Sequence, residues 1–142
     1  MNHKEILNSI LYSKPPTIPT QEINIILSNK EDFHETLYLE MKYCVENKEI
    51  FENDDYLSFI LFFLIGETQC KYNNMFDLFL ELLKCYKDND KDNGDFFGDI
   101  IIEYLPTIMA NIYDEKNYDD ICNFIKNSEY NEFARWSMMS CL

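Results

Sequence analysis

The run Asp88-Asn89-Asp90-Lys91-Asp92-Asn93-Gly94 places carboxylates at alternate positions, the spacing a calcium loop uses to aim oxygens at one ion. Asp88, Asp90 and Asp92 fill loop positions one, three and five, and Asp99 falls at position twelve. The match has three defects. Gly94 falls at position seven instead of six, Asp95 replaces an apolar residue at position eight, and position twelve lacks the bidentate Glu. These acids make a weak calcium candidate, expected to bind no tighter than about millimolar. A solvated interhelical loop is the preferred account of the run.

Asp99 and Glu103 lie four apart on one helix face, so their carboxylates could converge for acid/base work or for a metal. Without a His, a Lys or a second acid pair, such acids more often complement a helix N-terminus. Cys44, Cys70, Cys85, Cys122 and Cys141 form no Cys-x-x-Cys pair, and their odd number fits a disulfide framework badly. His3 and His34 are the only histidines, too few for a Cys/His zinc cluster. Free thiols in a reducing cytosol follow. Arg135, the sole arginine, is expected to pair with a carboxylate of its own chain. No Ser/His/Asp order, Walker loop, dinucleotide glycine motif or His-Glu-x-x-His is present. No catalytic residue, resident metal or cofactor is assigned, and the chain reads as a non-enzyme.

The elements that would carry these residues are helices. Ile6, Leu7, Ile10 and Leu11 make a first stripe, stopped at Lys14-Pro15-Pro16. Pro19 and Thr20 open a second helix carrying Ile23, Ile26 and Leu27. Phe33, Leu37, Met41, Cys44 and Val45 share one face of a helix of about 16 residues. Asp54 or Asp55 caps Tyr56 to Gly66, which is apolar on all sides and belongs at the centre of the fold. Asn73 or Asn74 caps a helix with Met75, Phe76, Phe79, Leu80, Leu83 and Tyr86 on its buried face.

After the hydrophilic loop Lys87 to Gly94, helical spacing resumes at Phe96, Phe97, Ile100, Ile101, Tyr104 and Leu105. Pro106 removes a backbone donor there, which predicts a kink or a restart before Ile108, Met109, Ile112 and Tyr113. Ile121, Cys122, Phe124 and Ile125 mark a short helix, and Phe133, Trp136, Met139 and Leu142 mark the last. No segment alternates at period two. The fold class is all-α, with short antiparallel helix pairs stacked as a HEAT-like α-solenoid.

One domain covers residues 1–142, a length that buries roughly 70% of the unfolded surface without metal or disulfides. Hydrophobic residues at 46% exclude a disordered chain. Asp plus Glu total 26 against 12 Lys plus Arg, a net charge of −14 that phosphate backbones and anionic leaflets would repel. Nucleic acid is excluded as a partner, and a basic protein fits the sign. The apolar run Phe59 to Ile65 is far shorter than a membrane span, and the N-terminus shows no signal peptide. A cytoplasmic location is expected.

The stretch Phe96-Phe97-Gly98-Asp99-Ile100-Ile101-Ile102-Glu103, with Tyr104-Leu105-Pro106-Thr107-Ile108-Met109-Ala110 after it, resembles the central signature of an uncharacterised bacterial HEAT-like family. That signature is a Gly-Asp-x-x-Thr-Glu segment followed by a helix ending in small residues; here Ile102 stands for the threonine. The tail from Tyr130 through Phe133, Arg135 and Trp136 is similar to the HEAT-like helix that follows in the family. Longer members often continue into a Cys-rich SEC-C zinc motif, which these residues lack. The resemblance implies a fold and no chemistry.

The expected function is a non-enzymatic protein–protein interaction module. The alternative is an acidic inhibitor or immunity-type protein that neutralises a basic partner enzyme. The last helix carries too much apolar surface for one buried face, with Glu132 and Arg135 its only charges. Self-association as a homodimer, or capture of another protein, is expected through Trp136, Met138, Met139 and Leu142.

Overall fold

The structure is a computed structural model that describes residues 1–12, 17–85 and 103–142, the side chain of Glu52 excepted. Among them no β-strand occurs, and side-chain caps start three of the α-helices. Helix α1 (His3–Leu11) starts at Asn2, whose Oδ1 accepts the Glu5 N–H at 3.0 Å. Helix α2 (Thr20–Ser28) follows Pro19. A 3-10 turn, Lys30–Phe33, leads into α3 (His34–Glu46), so Phe33 precedes the α-helix whose apolar face it extends. After the short α4 (Glu49–Glu52), Asp54 Oδ1 accepts the Leu57 N–H at 3.0 Å and starts α5 (Asp55–Glu67).

Helix α6 (Met75–Lys84) is entered through Asn73 and Asn74, both in the left-handed region at φ 48° and 58°. Asparagine tolerates that region better than other side-chain-bearing residues. Asn74 makes no side-chain bond to the helix backbone; its Nδ2 donates to Asp77 Oδ2 at 2.5 Å. Pro106 falls in the first turn of α7 (Leu105–Ile112), where a missing N–H costs nothing, so the proline marks a restart. Helices α8 (Tyr118–Lys126) and α9 (Glu132–Met139) complete the described chain. Asn131 caps α9 by accepting the Ala134 N–H at 3.0 Å.

Packing follows chain order. Among the described residues, α1 meets α2 and α3, α3 meets α5 and α6, α5 meets α2 and α7, α6 meets α7, and α9 meets α7 and α8. Helix α5 touches α1, α2, α3, α4 and α7, and its Leu57, Leu61, Phe62, Leu64 and Ile65 are all buried. The apolar helix is the central one, as its composition requires.

Helices α5 and α7 run in the same direction. Phe59 and Tyr104, near their starts, meet edge to face with ring centroids 5.3 Å apart. Gly66, near the end of α5, lies against Ile108, and its carbonyl accepts from Asn111 Nδ2 at 3.2 Å. A Cβ on Gly66 would sit 3.0 Å from Ile108 Cγ1, so glycine sets how closely these helices approach. Helix α9 returns the other way, since Ser140 Oγ beyond its end donates to the Pro106 carbonyl at 3.4 Å.

Candidate functional site

The outer face of α9 is the first candidate. The inward positions are Ala134, Ser137 and Met138, all buried, so small residues let this helix lie close on its neighbours. That leaves Phe133, Trp136 and Met139 outside and exposed. Beyond the helix, the N–H groups of Ser140, Cys141 and Leu142 bond to carbonyls three residues back. Such tightening eclipses residues three apart, which places exposed Leu142 in line with Met139. Phe133 and Trp136 pack edge to face at 5.5 Å, so the row has internal order.

The sequence-based interface therefore needs one correction. Trp136, Met139 and Leu142 are exposed as expected, but Met138 is fully buried in the core and cannot belong to that surface. Its Cα lies one helical turn from Ala134, and the two share the inward face. Arg135 ties the last two helices together. Its Nη1 donates to the Ile125 carbonyl in the last turn of α8 at 3.3 Å, where a cation offsets the helix dipole.

A second candidate lies along the α5–α7 seam, a pocket of about 180 Å³. Its floor is Phe62, Gly66 and Ile108, and its walls are Phe59, Phe63 and Tyr104. Glu67, Thr107 and Asn111 supply its polar rim. On α5 the lining residues step 59, 62, 63, 66, 67, and on α7 they step 104, 107, 108, 111, so one helical face of each builds the pocket.

The buried Glu40 is a third feature, and the periodicity reading passed over it. It sits three residues after Leu37 and four before Cys44, on the apolar face of α3. The Tyr12 hydroxyl donates to Glu40 Oε1, and Cys44 Sγ approaches the same oxygen at 3.9 Å. Tyr12 is about half exposed, and its hydroxyl end is turned onto Glu40. Burial, then the Glu40 hydrogen bond and charge, push the Tyr12 phenol well above its ordinary range. Burial and the Glu40 charge push the Cys44 thiol up to about 12. Both groups keep their protons at neutral pH, which suits donors that satisfy a buried acid rather than catalytic groups.

The calcium candidates Asp88, Asp90, Asp92 and Asp99 lie outside the described residues. So does the partner carboxylate proposed for Glu103, itself exposed just before α7. Among the described residues no cluster of three His, Cys, Asp or Glu side chains could hold a metal. The five cysteines are unbridged, Cys44 and Cys70 buried and the others half-buried. No helix among the described residues is long and apolar enough to cross a membrane.

Comparison with curated proteins and with solved structures yields no match to the chain. A family model does match, and it covers residues 1–142. By that match over its full length, the chain belongs to DUF1186, a family of proteins of unknown function.

Proposed function

We propose that this chain is a non-enzymatic interaction module, a HEAT-like stack of helix pairs that binds a basic protein through the outer face of α9. The observation that carries this reading is the exposed row Phe133, Trp136, Met139 and Leu142. Side chains of this size, contiguous and outward on one short helix, mark an interface. The stacked-pair reading is supported by the order of contacts, in which described helices close in the chain touch, and by the parallel course of α5 and α7. The opposite course of α9 makes the last pair the irregular one.

A basic partner suits the net charge of −14 better than a second copy of the chain, which would carry the same charge to the interface. The partner would present an apolar helix face flanked by Lys or Arg. An acidic inhibitor of a basic enzyme, the second reading, rests on the charge alone.

Affinity capture from the native host tests both. The wild-type chain is compared with a Met139→Ser/Leu142→Ser variant, at low and at high salt. Capture that survives high salt and is lost in the variant supports the apolar row. Capture that ignores the variant and disappears with salt supports charge-driven neutralisation. Sedimentation of the wild-type chain as a dimer that the variant dissolves would make the occupant a second copy.

A further inference from the structure

The pocket on the α5–α7 seam combines aromatic walls with a rim of hydrogen-bond acceptors. Phe59, Phe63 and Tyr104 present rings, and exposed Glu67 presents a carboxylate. Asn111 commits its Nδ2 to the Gly66 carbonyl, which leaves its Oδ1 as a further acceptor beside Glu67. Among the described residues no Lys, Arg or His lines the pocket, so these residues offer a phosphate or carboxylate no counter-charge. Its volume of about 180 Å³ is below the 300 Å³ or more of a cofactor site. An apolar cavity of about 150 Å³ is known to hold a benzene ring, so the space suits one side chain.

We propose that this pocket receives the arginine side chain of a basic peptide, with the guanidinium on the aromatic walls and against Glu67. Guanidinium is planar, stacks on rings and donates in a fork that a carboxylate accepts, whereas an ammonium is a compact and strongly hydrated charge. The aliphatic stem would lie over Phe62 and Ile108. The net charge of −14 draws such a peptide in. The site is separate from the α9 row, and either can fail without the other.

Titration of the full chain with N-acetyl-arginine amide, followed by aromatic proton resonances, is the test. N-acetyl-lysine amide and N-acetyl-norleucine amide serve as competitors of matched backbone. Arginine amide should give saturable shifts of the Phe59, Phe63 and Tyr104 ring signals and bind about tenfold tighter than norleucine amide. Glu67→Gln should bring the two within about twofold, and Tyr104→Leu should weaken arginine amide while leaving the helical spectrum intact. Norleucine amide binding as tightly as arginine amide would overturn the charge recognition. Lysine amide matching arginine amide would overturn the assignment of guanidinium. Absence of shifts with all three would remove the site altogether.

Discussion

Met138 and Met139 are consecutive residues on opposite sides of α9, the first 0% exposed in the core and the second 57% exposed to solvent. The two have identical side chains, so their substitutions separate core from surface. Met138→Ala should cost about 2–5 kcal/mol of unfolding free energy, the range for emptying a buried Met site. Met139→Ala should stay within about 0.5 kcal/mol. Urea denaturation of both variants measures this, and equal midpoints would mean the helix is rotated from the position described.

The α5–α7 seam should respond sharply to one methyl group. Gly66→Ala gains about 1 kcal/mol of helix propensity but sets a Cβ at 3.0 Å from Ile108 Cγ1 and 3.3 Å from its Cα. Overpacking of this kind costs about 1–3 kcal/mol, and the backbone contact cannot swing away, so a net loss of about 1 kcal/mol is expected. Pairing Gly66→Ala with Ile108→Val should recover part of that loss. A stabilised single variant would mean the helices separate freely.

Asn117 ties the start of α8 to the start of α6. Its Nδ2 donates to Asn74 Oδ1 at 3.1 Å and reaches Asp77 Oδ1 at 3.4 Å, while its own Oδ1 is buried without a partner. Burial first, and then the nearby Asp120, raise the Asp77 carboxyl above its ordinary value. Asn117→Asp would add a third carboxylate to this buried place and should cost more than Asn117→Ala, by about 1 kcal/mol or more at pH 7. The added acid should itself have a raised folded pKa. The excess cost should then fade as pH drops from 7 and be gone by about pH 3, below the unfolded Asp value of about 3.9, where the acid is neutral in both states. Equal losses for the two variants at both pH values would contradict the described lock.

The thiols should make stability fall in alkali. Burial raises Cys44 to about 12 and Cys70 to about 11 from an ordinary 9. A raised folded pKa gives stability that is complete below pH 9 and lost as pH climbs toward the folded values, because the unfolded chain ionises first. Cys70→Ala should therefore narrow the difference in melting temperature between pH 8 and pH 10. Alkylation of the native chain at pH 8 should modify Cys85 and Cys122 before Cys44 and Cys70. Early modification of Cys44 would show its environment to be open.

Much of this architecture was legible in residue spacing. The Asp54 cap, the apolar α5 and the restart at Pro106 follow from local rules that tertiary packing did not override. The last helix shows where those rules run out. Counting apolar residues selects Phe133, Trp136 and Met139 as a face, yet the inward face is Ala134, Ser137 and Met138, chosen by close helix approach rather than by hydrophobicity. Glu40 was hidden for the opposite reason. An acid on an apolar face reads as an interruption until Tyr12, distant in sequence, is seen to donate to it. The pocket needed the α5–α7 contact, which no single helix encodes.

Trp136 is the only tryptophan and is 55% exposed within the row that the account assigns to partner binding. Acrylamide quenching of its emission, in the free chain and in the captured complex, is the most direct test. The account predicts efficient quenching in the free chain, and in the complex a severalfold drop with a shift of emission to the blue. A stable complex in which Trp136 is quenched as readily as in the free chain would contradict it.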